Sequence, residues 1–376
     1  MRRVAGTARP DWAARVEALG FDFHTIDSAP YWDESAHYEF SLAEVEAVED
    51  AADELHKRCL DAVEHVVRKN LFGKLAIGET GRCLVRETWE RGDPTLYGRF
   101  DFAFDGNGPP KLLEYNADTP TSLFEASVIQ WQWLEDRFPG ADQFNSLHEG
   151  LVERWREIVG AGSGWNSLHF ACVTPHAEDE GTTRYLMATA LEAGVSTKLL
   201  GMQQIGWNGR VFVDHEDDVI ERLFKLYPWE WLLREEFGQY LHASSLGLIE
   251  PAWKMVLSNK GLLPLLWELF PDHPNLLQAE FEPPPADIPH VKKPLLGREG
   301  ANVSIVRDGA PLASADGPYG AEGFVYQVYQ PLPEFAGNHA VVGAWMVGDK
   351  CRGMGLREDA SPITRNTSRF VPHLFR

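Results

Sequence analysis

The stretch YGRFDFAFDGNGPPKLLEYNADTPTS, residues 97–122, decides the reading. Phe100, Phe102 and Phe104 alternate with Arg99, Asp101 and Ala103, DGNGPP supplies turn residues, and KLLEYNAD runs back. Strand side chains alternate faces with a period of two, so this is a β-hairpin with an aromatic face and a polar face. Arg99 and Asp101 share the polar face of the first strand, Glu114 and Asn116 that of the second. If the two faces coincide, two carboxylates and an amide carbonyl converge beside a guanidinium. Oxygen donors of this kind suit Mg²⁺, and the guanidinium suits an anionic oxygen. The same pattern also describes a solvated strand face with cross-strand charge pairs.

Further segments recur in order: LLEYNADTPTS (112–122), DQFNSLHE (142–149), SNKGLLPLLWELFP (258–271), KKPLLGREGANV (292–303) and GLRED (355–359). With RFDF, they resemble the synthetase domain of glutathionylspermidine synthase and its stand-alone acid–amine ligase relatives, over nearly the whole chain. The resemblance implies a mixed α/β (α+β) chain of the ATP-grasp fold with a preATP-grasp-like βαβ subdomain. It implies ATP and Mg²⁺ as cofactors, a small-molecule carboxylate such as a glutathione-like peptide, and an amine such as a polyamine. It also implies roles. Asp101, Glu114 and Asn116 would hold metal, and Arg99 would steady the transferring phosphoryl group. Lys260 and Lys293 would contact phosphates, and Gln327, Val328, Tyr329 and Gln330 would read adenine. Thr119, Thr121, Arg298 and Arg357 would lie on the substrate side. Where the family has a short hydroxyl residue after a lysine, Leu226 follows Lys225, which removes one donor toward a glutathione-like acid. The chain also begins near the synthetase unit, which leaves no room for the amidase domain of the bifunctional synthase, so ligation without reverse hydrolysis is expected.

Composition agrees with a globular enzyme. The chain has 376 residues, 44% of them hydrophobic, and 13 Trp, enough for a large core. A net charge of −21 disfavours nucleic acid and favours cationic partners such as polyamines. The four scattered cysteines give no CxxC or zinc spacing, and no apolar run is long enough to span a membrane, so a cytoplasmic location is expected.

In chain order, residues 1–40 read as short helical and loop pieces. Ser41-Leu-Ala-Glu44 is a capping box opening a helix that ends near Asn70. Asp142 reads as the cap of a helix reaching Val159, and the glycine-rich segment 160–166 as a boundary. Next comes a βαβ unit, with strands 168–173 and 195–200 around a helix from Arg184 to Ala193. Glu178 and Asp179 fall in the loop at the first strand's carboxyl end, where open α/β sheets bind ligands. They suit an ammonium group, and equally a solvated surface. Lys293 ends a strand before the loop Gly297-Arg298-Glu299-Gly300. A glycine turn between strands can close over phosphates through backbone N–H groups. Phe324, Tyr326 and Val328 share a strand face that suits either a purine or the core. The expected regions are residues 1–160, carrying the hairpin, 161–250, the preATP-grasp-like unit, and 251–376, the nucleotide-binding part with its loop.

These parts suit phosphoryl transfer followed by amide formation. Two other readings fit fewer of the residues. A glycoside hydrolase would use Asp101 and Glu114 but leave the lysines idle. A nucleotide-binding regulatory or scaffold protein would need none of the catalytic residues, yet all are present.

Overall fold

The computed structural model describes residues 1–26, 28–160 and 167–376. Its central feature is an antiparallel sheet built from both halves of the chain. The strand order is Arg369–Val371, Lys350–Asp359, Asn338–Val347, Tyr97–Ala103, Lys111–Asn116. The hairpin strand Tyr97–Ala103 is therefore interior, and all seven of its residues are buried. Asp101 pairs with Glu114 on one side and Gly343 on the other, and Arg99 pairs with Asn116. A side chain at Gly343 would place its Cβ 2.9 Å from Arg99 Cδ, so the guanidinium lies flat across the sheet only over glycine.

The aromatic face packs under the helix Leu42–Lys69. Phe100 stacks on Tyr115 with ring centroids 3.8 Å apart, and both join Val45, Leu55 and Val63 in one core. The helix begins with the expected capping box of Ser41 and Glu44 and ends at Asn70 in the left-handed conformation.

A second sheet is wholly parallel, in the order Gly247–Ile249, Arg222–Leu226, Ser167–Cys172, Ser196–Gly201. Its helix, Ala177–Glu192, starts at Ala177 and not at Arg184. His176 causes the earlier start: its Nδ1 accepts from Asp179 N at 3.3 Å. Three acidic residues in the first turn then complement the helix dipole. Glu178 and Asp179 are thus helical, not loop, residues. The preceding helix, Leu147–Val159, starts after Ser146 and not at Asp142, whose carbonyl instead accepts from Phe375 N. The boundary read at residues 160–166 falls, from 161 onward, outside the described residues.

A third, antiparallel sheet runs Ala279–Glu280, Phe324–Val328, His290–Pro294, Ser304–Arg307, Ala310–Ser314. It carries Lys293 and the glycine loop. A small sheet joins the chain ends: Arg2–Ala5, Ala36–Phe40 and His373–Phe375. Residues 1–40 therefore contain strands where only helix and loop were expected. Their partners lie too far along the chain for a local pattern to reveal them. Among the described residues no helix is long and apolar enough to cross a membrane.

The parallel sheet is tied to the hairpin by a buried ion pair. Lys225 Nζ lies 2.6 Å from Asp118 Oδ1, both side chains are at most 2% exposed, and Asp118 Oδ2 accepts from Trp229 N. Removing one member of a buried pair strands the other charge. Lys225→Met is expected to lower unfolding free energy by about 3–5 kcal/mol in urea titrations. A loss below ~1 kcal/mol would show that the pair does not hold the two sheets together.

Candidate functional site

The polar face of the hairpin converges as its register requires. Arg99 Nε and Nη2 donate to the two oxygens of Asp101 at 2.6 and 3.0 Å, and Arg357 Nη2 lies 2.9 Å from Asp101 Oδ2. Asn116 Nδ2 donates to Glu114 Oε1 at 3.1 Å and to Asp101 Oδ2 at 3.4 Å. Two carboxylates and one amide are therefore in mutual contact. This is a hard oxygen set of the kind Mg²⁺ takes, once the amide turns its oxygen inward.

Two lysines from distant segments close on the same point. Lys260, just before the helix Leu262–Leu269, lies 2.9 Å from Glu114 Oε2 and donates to Gly297 O at 2.6 Å. Lys293 donates to Gln327 Oε1 at 2.7 Å and to Leu113 O at 2.8 Å. Burial pushes the Glu114 carboxyl up, but the ammonium groups of Lys260 and Lys293 outweigh it and hold it below the usual carboxylate range. Burial lowers Lys293 to about 8; Glu114 opposes that fall and Lys260 adds to it.

Asp101, Glu114, Lys260, Lys293 and residues 327–330 line one cleft of about 750 Å³, roofed by Gly297, Gly300 and Thr364. Val328 reaches this cleft, whereas Phe324 is covered by the Lys292 ammonium at 3.9 Å and Tyr326 meets the His290 ring. Val328 N and Tyr329 N donate to Gln278 O and Pro289 O, so within this stretch those two groups are already engaged. A second cleft, of about 1080 Å³, meets the first at Gly297 and is lined by Asn116, Asp118, Thr119, Glu230 and Arg298. Arg298 donates to Thr119 Oγ1 at 2.5 Å and pairs with Glu230 at 3.0 Å, so the glycine loop is pinned to the rim of this cleft.

A third group flanks Arg99. Thr121 O accepts from Arg99 Nη1 at 2.5 Å. Glu125, fully buried, accepts from Tyr31 at 2.6 Å, and Tyr31 also meets Ser122 Oγ at 2.8 Å. Burial pushes Glu178 up to about 8, helped by the charges of Glu125, Asp179 and Glu299, and burial likewise raises Asp179. Glu178 and Asp179 therefore belong to an acidic cluster beside the guanidiniums. Sequence reasoning missed Glu125, Tyr31 and Glu230. An acid within the apolar run Leu-Phe-Glu-Ala-Ser-Val-Ile was the available signal for Glu125.

A family described as "Glutathionylspermidine synthase preATP-grasp" matches residues 3–376. The chain belongs to that family. It is 43% identical to a Haemophilus influenzae protein named "Putative acid--amine ligase", with 100% of both chains covered. It is 29% identical to the "Bifunctional glutathionylspermidine synthetase/amidase" of Escherichia coli, over 96% of this chain and 61% of that one. The chain thus spans less than two thirds of the bifunctional relative. By these names the relatives are a ligase and a synthetase, and the chain belongs with such ligases. A solved glutathione synthetase-like effector from Globodera pallida superposes with a TM-score of 0.59 over 97% of this chain and 95% of that one. At 11% identity the likeness is one of fold.

The pinning of Arg298 has a direct consequence. Glu230→Ala removes the carboxylate that holds the loop, so trypsin should cut after Arg298 faster than in the parent chain. Equal cleavage rates in the two chains would mean that the pair does not restrain the loop.

Proposed function

We propose that the chain joins a carboxylic acid to an amine, using ATP and Mg²⁺, through an acyl phosphate. The observation that carries this reading is the meeting of Lys260, Lys293 and Glu114 in one cleft, although they come from three separate segments. Lys260 and Lys293 hold the phosphates of the nucleotide, and residues 327–330 border its base. Asp101, Glu114 and Asn116 hold Mg²⁺, which when bound draws off charge from the β- and γ-phosphates. The substrate carboxylate attacks the γ-phosphorus and ADP leaves. Arg99 and Arg357 steady the transferring group, then the oxyanion formed when the amine attacks. Gly297–Gly300 excludes water, which would hydrolyse the acyl phosphate.

Thr119, Thr121 and Arg298 face the acid, and Glu178 and Asp179 the amine. A glutathione-like peptide and a polyamine are the analogous pair. Leu226, buried in an apolar cluster, offers the acid no side-chain hydrogen bond, which favours a different acid from glutathione. A cytoplasmic setting fits the use of ATP.

The test is an ADP-release screen over carboxylates and polyamines, with mass spectrometry of the product. An amide dependent on ATP is expected. ATP binding with no ADP released for any pair would favour a nucleotide-binding regulatory module instead. Asp101→Ala and Glu114→Ala should each lose roughly 10²–10³-fold in turnover, the range for removal of a group that stabilises transition-state charge, with unchanged circular dichroism. Full activity in both would reject the metal assignment.

Nucleotide affinity should also depend on pH. Lys293 is charged below its value of about 8 and neutral above it, so ATP affinity is expected to hold near pH 7 and fall as pH rises past 8. Lys293→Arg, whose guanidinium stays charged, should abolish that fall. An identical pH profile in both proteins would remove Lys293 from the phosphate site.

A further inference from the structure

Three peculiarities meet at Glu125. Its side chain is fully buried, Oε1 accepts from Tyr31, and among the described residues Oε2 has no hydrogen-bond partner, though the Glu125 backbone N–H also acts on the carboxylate. A carboxylate oxygen left unpaired in the interior is costly and calls for a reason. The backbone around it is also unusual. Glu125 opens a single π-helical turn, Glu125–Ile129, and three residues earlier Ser122 takes φ of +70°. Short π-helical turns inside α-helices are frequent at functional sites, and a non-glycine residue in the left-handed region carries strain. Finally, its surroundings belong to the reaction centre. The charges acting on Glu125 are those of Arg99 and Arg357, and Glu178 feels Glu125 in turn. Tyr31 bridges Glu125 to Ser122, and the neighbouring Thr121 carbonyl accepts from Arg99.

The chemistry proposed above leaves one job without a residue. An alkylamine is an ammonium at neutral pH and cannot attack an acyl phosphate until it loses a proton. We propose that Glu125 is the base that takes this proton through Oε2, with Tyr31, itself hydrogen-bonded to Ser122, holding the carboxylate in place; the assignment rests on the ligase reading. As the ammonium nitrogen becomes an amide it sheds two protons. One passes to Glu125, the N–C bond forms at the acyl carbon, and the C–O bond breaks. Phosphate leaves with that electron pair and takes up the second proton. Glu125 then returns its proton to solvent. Burial pushes the Glu125 carboxyl up to about 7, against the Tyr31 hydrogen bond and the two guanidiniums. A base works best when its affinity for the proton matches the working pH.

The competing role is structural, with Glu125 serving only as acceptor for Tyr31, for which a glutamine carbonyl would do equally well. Glu125→Gln separates the two roles, because it keeps that acceptor. Two nucleophiles are compared with the acid that the screen returns: spermidine, an ammonium at neutral pH, and hydroxylamine, already a free base there. Glu125→Gln should lose roughly 10²–10⁴-fold in amide formation from spermidine, the range for a general base, while hydroxamate formation falls only a few-fold. In the parent enzyme the spermidine rate should rise with pH through about 7 and be lost below it. Tyr31→Phe removes a donor to the charged carboxylate, so it should move that rise to higher pH. Equal losses with both nucleophiles in Glu125→Gln, or no loss with either, would overturn the assignment and leave the ligase reading intact. A parent chain that forms neither product from any acid would overturn both.

Discussion

The carboxylate of Glu114 feels two ammonium groups, Lys260 in contact and Lys293 through its charge, and the candidate site depends on that arrangement. Its contact with Lys260 joins the hairpin to the segment before the helix Leu262–Leu269, and its attraction to Lys293 joins the hairpin to the third sheet. Lys260 and Lys293 are buried and Glu114 is part-exposed, so the carboxylate offsets the charge that each segment brings in. Around this point four cations, Arg99, Arg357, Lys260 and Lys293, face two carboxylates, Asp101 and Glu114. A chain with a net charge of −21 thus gathers four cations here, with Glu125, Glu178 and Asp179 on the guanidinium side. The two lysines, set apart from that acidic cluster, leave the first cleft suited to an anion.

The glycine loop fits the same scheme. Gly297 packs where a Cβ would lie 2.4 Å from Pro294, and Gly300 has φ of +71° with its Cα against the Thr364 carbonyl. Neither position accepts a side chain without displacement. The loop therefore folds tightly at the first cleft, while Arg298 reaches the second and grips Thr119 and Glu230. One short segment thus borders both clefts, so a displacement of the loop at one is felt at the other.

What the sequence revealed was what repeats locally. Alternation of Phe100, Phe102 and Phe104 fixed the faces of the hairpin but left open whether the two polar faces coincide; the observed register, with a bulge after Asp101, sets Asp101 opposite Glu114. The capping box at Ser41 was equally legible, because both partners lie within four residues. The failures share a different cause. Strand Ala36–Phe40 is defined by partners at Arg2–Ala5 and His373–Phe375, and no local window contains both. The helix at Ala177 starts early because a histidine, an uncommon cap, does the work of serine or aspartate. Glu125 and Tyr31 are 94 positions apart, so neither announces the other. The lysine–hairpin convergence was reached through resemblance, since spacing alone cannot bring Lys260 and Lys293 to Glu114.

The small sheet joining the chain ends has a bearing on biosynthesis. Ala36–Phe40 is flanked on one side by Arg2–Ala5 and on the other by His373–Phe375. The first pairing can form once residues 2–40 have emerged from the ribosome, but the second must wait until residues 373–375 are translated. Until then one strand edge stays open, and an open edge can pair with another nascent chain. A folding factor that shields this edge during elongation would be most useful in the interval before His373–Phe375 arrives.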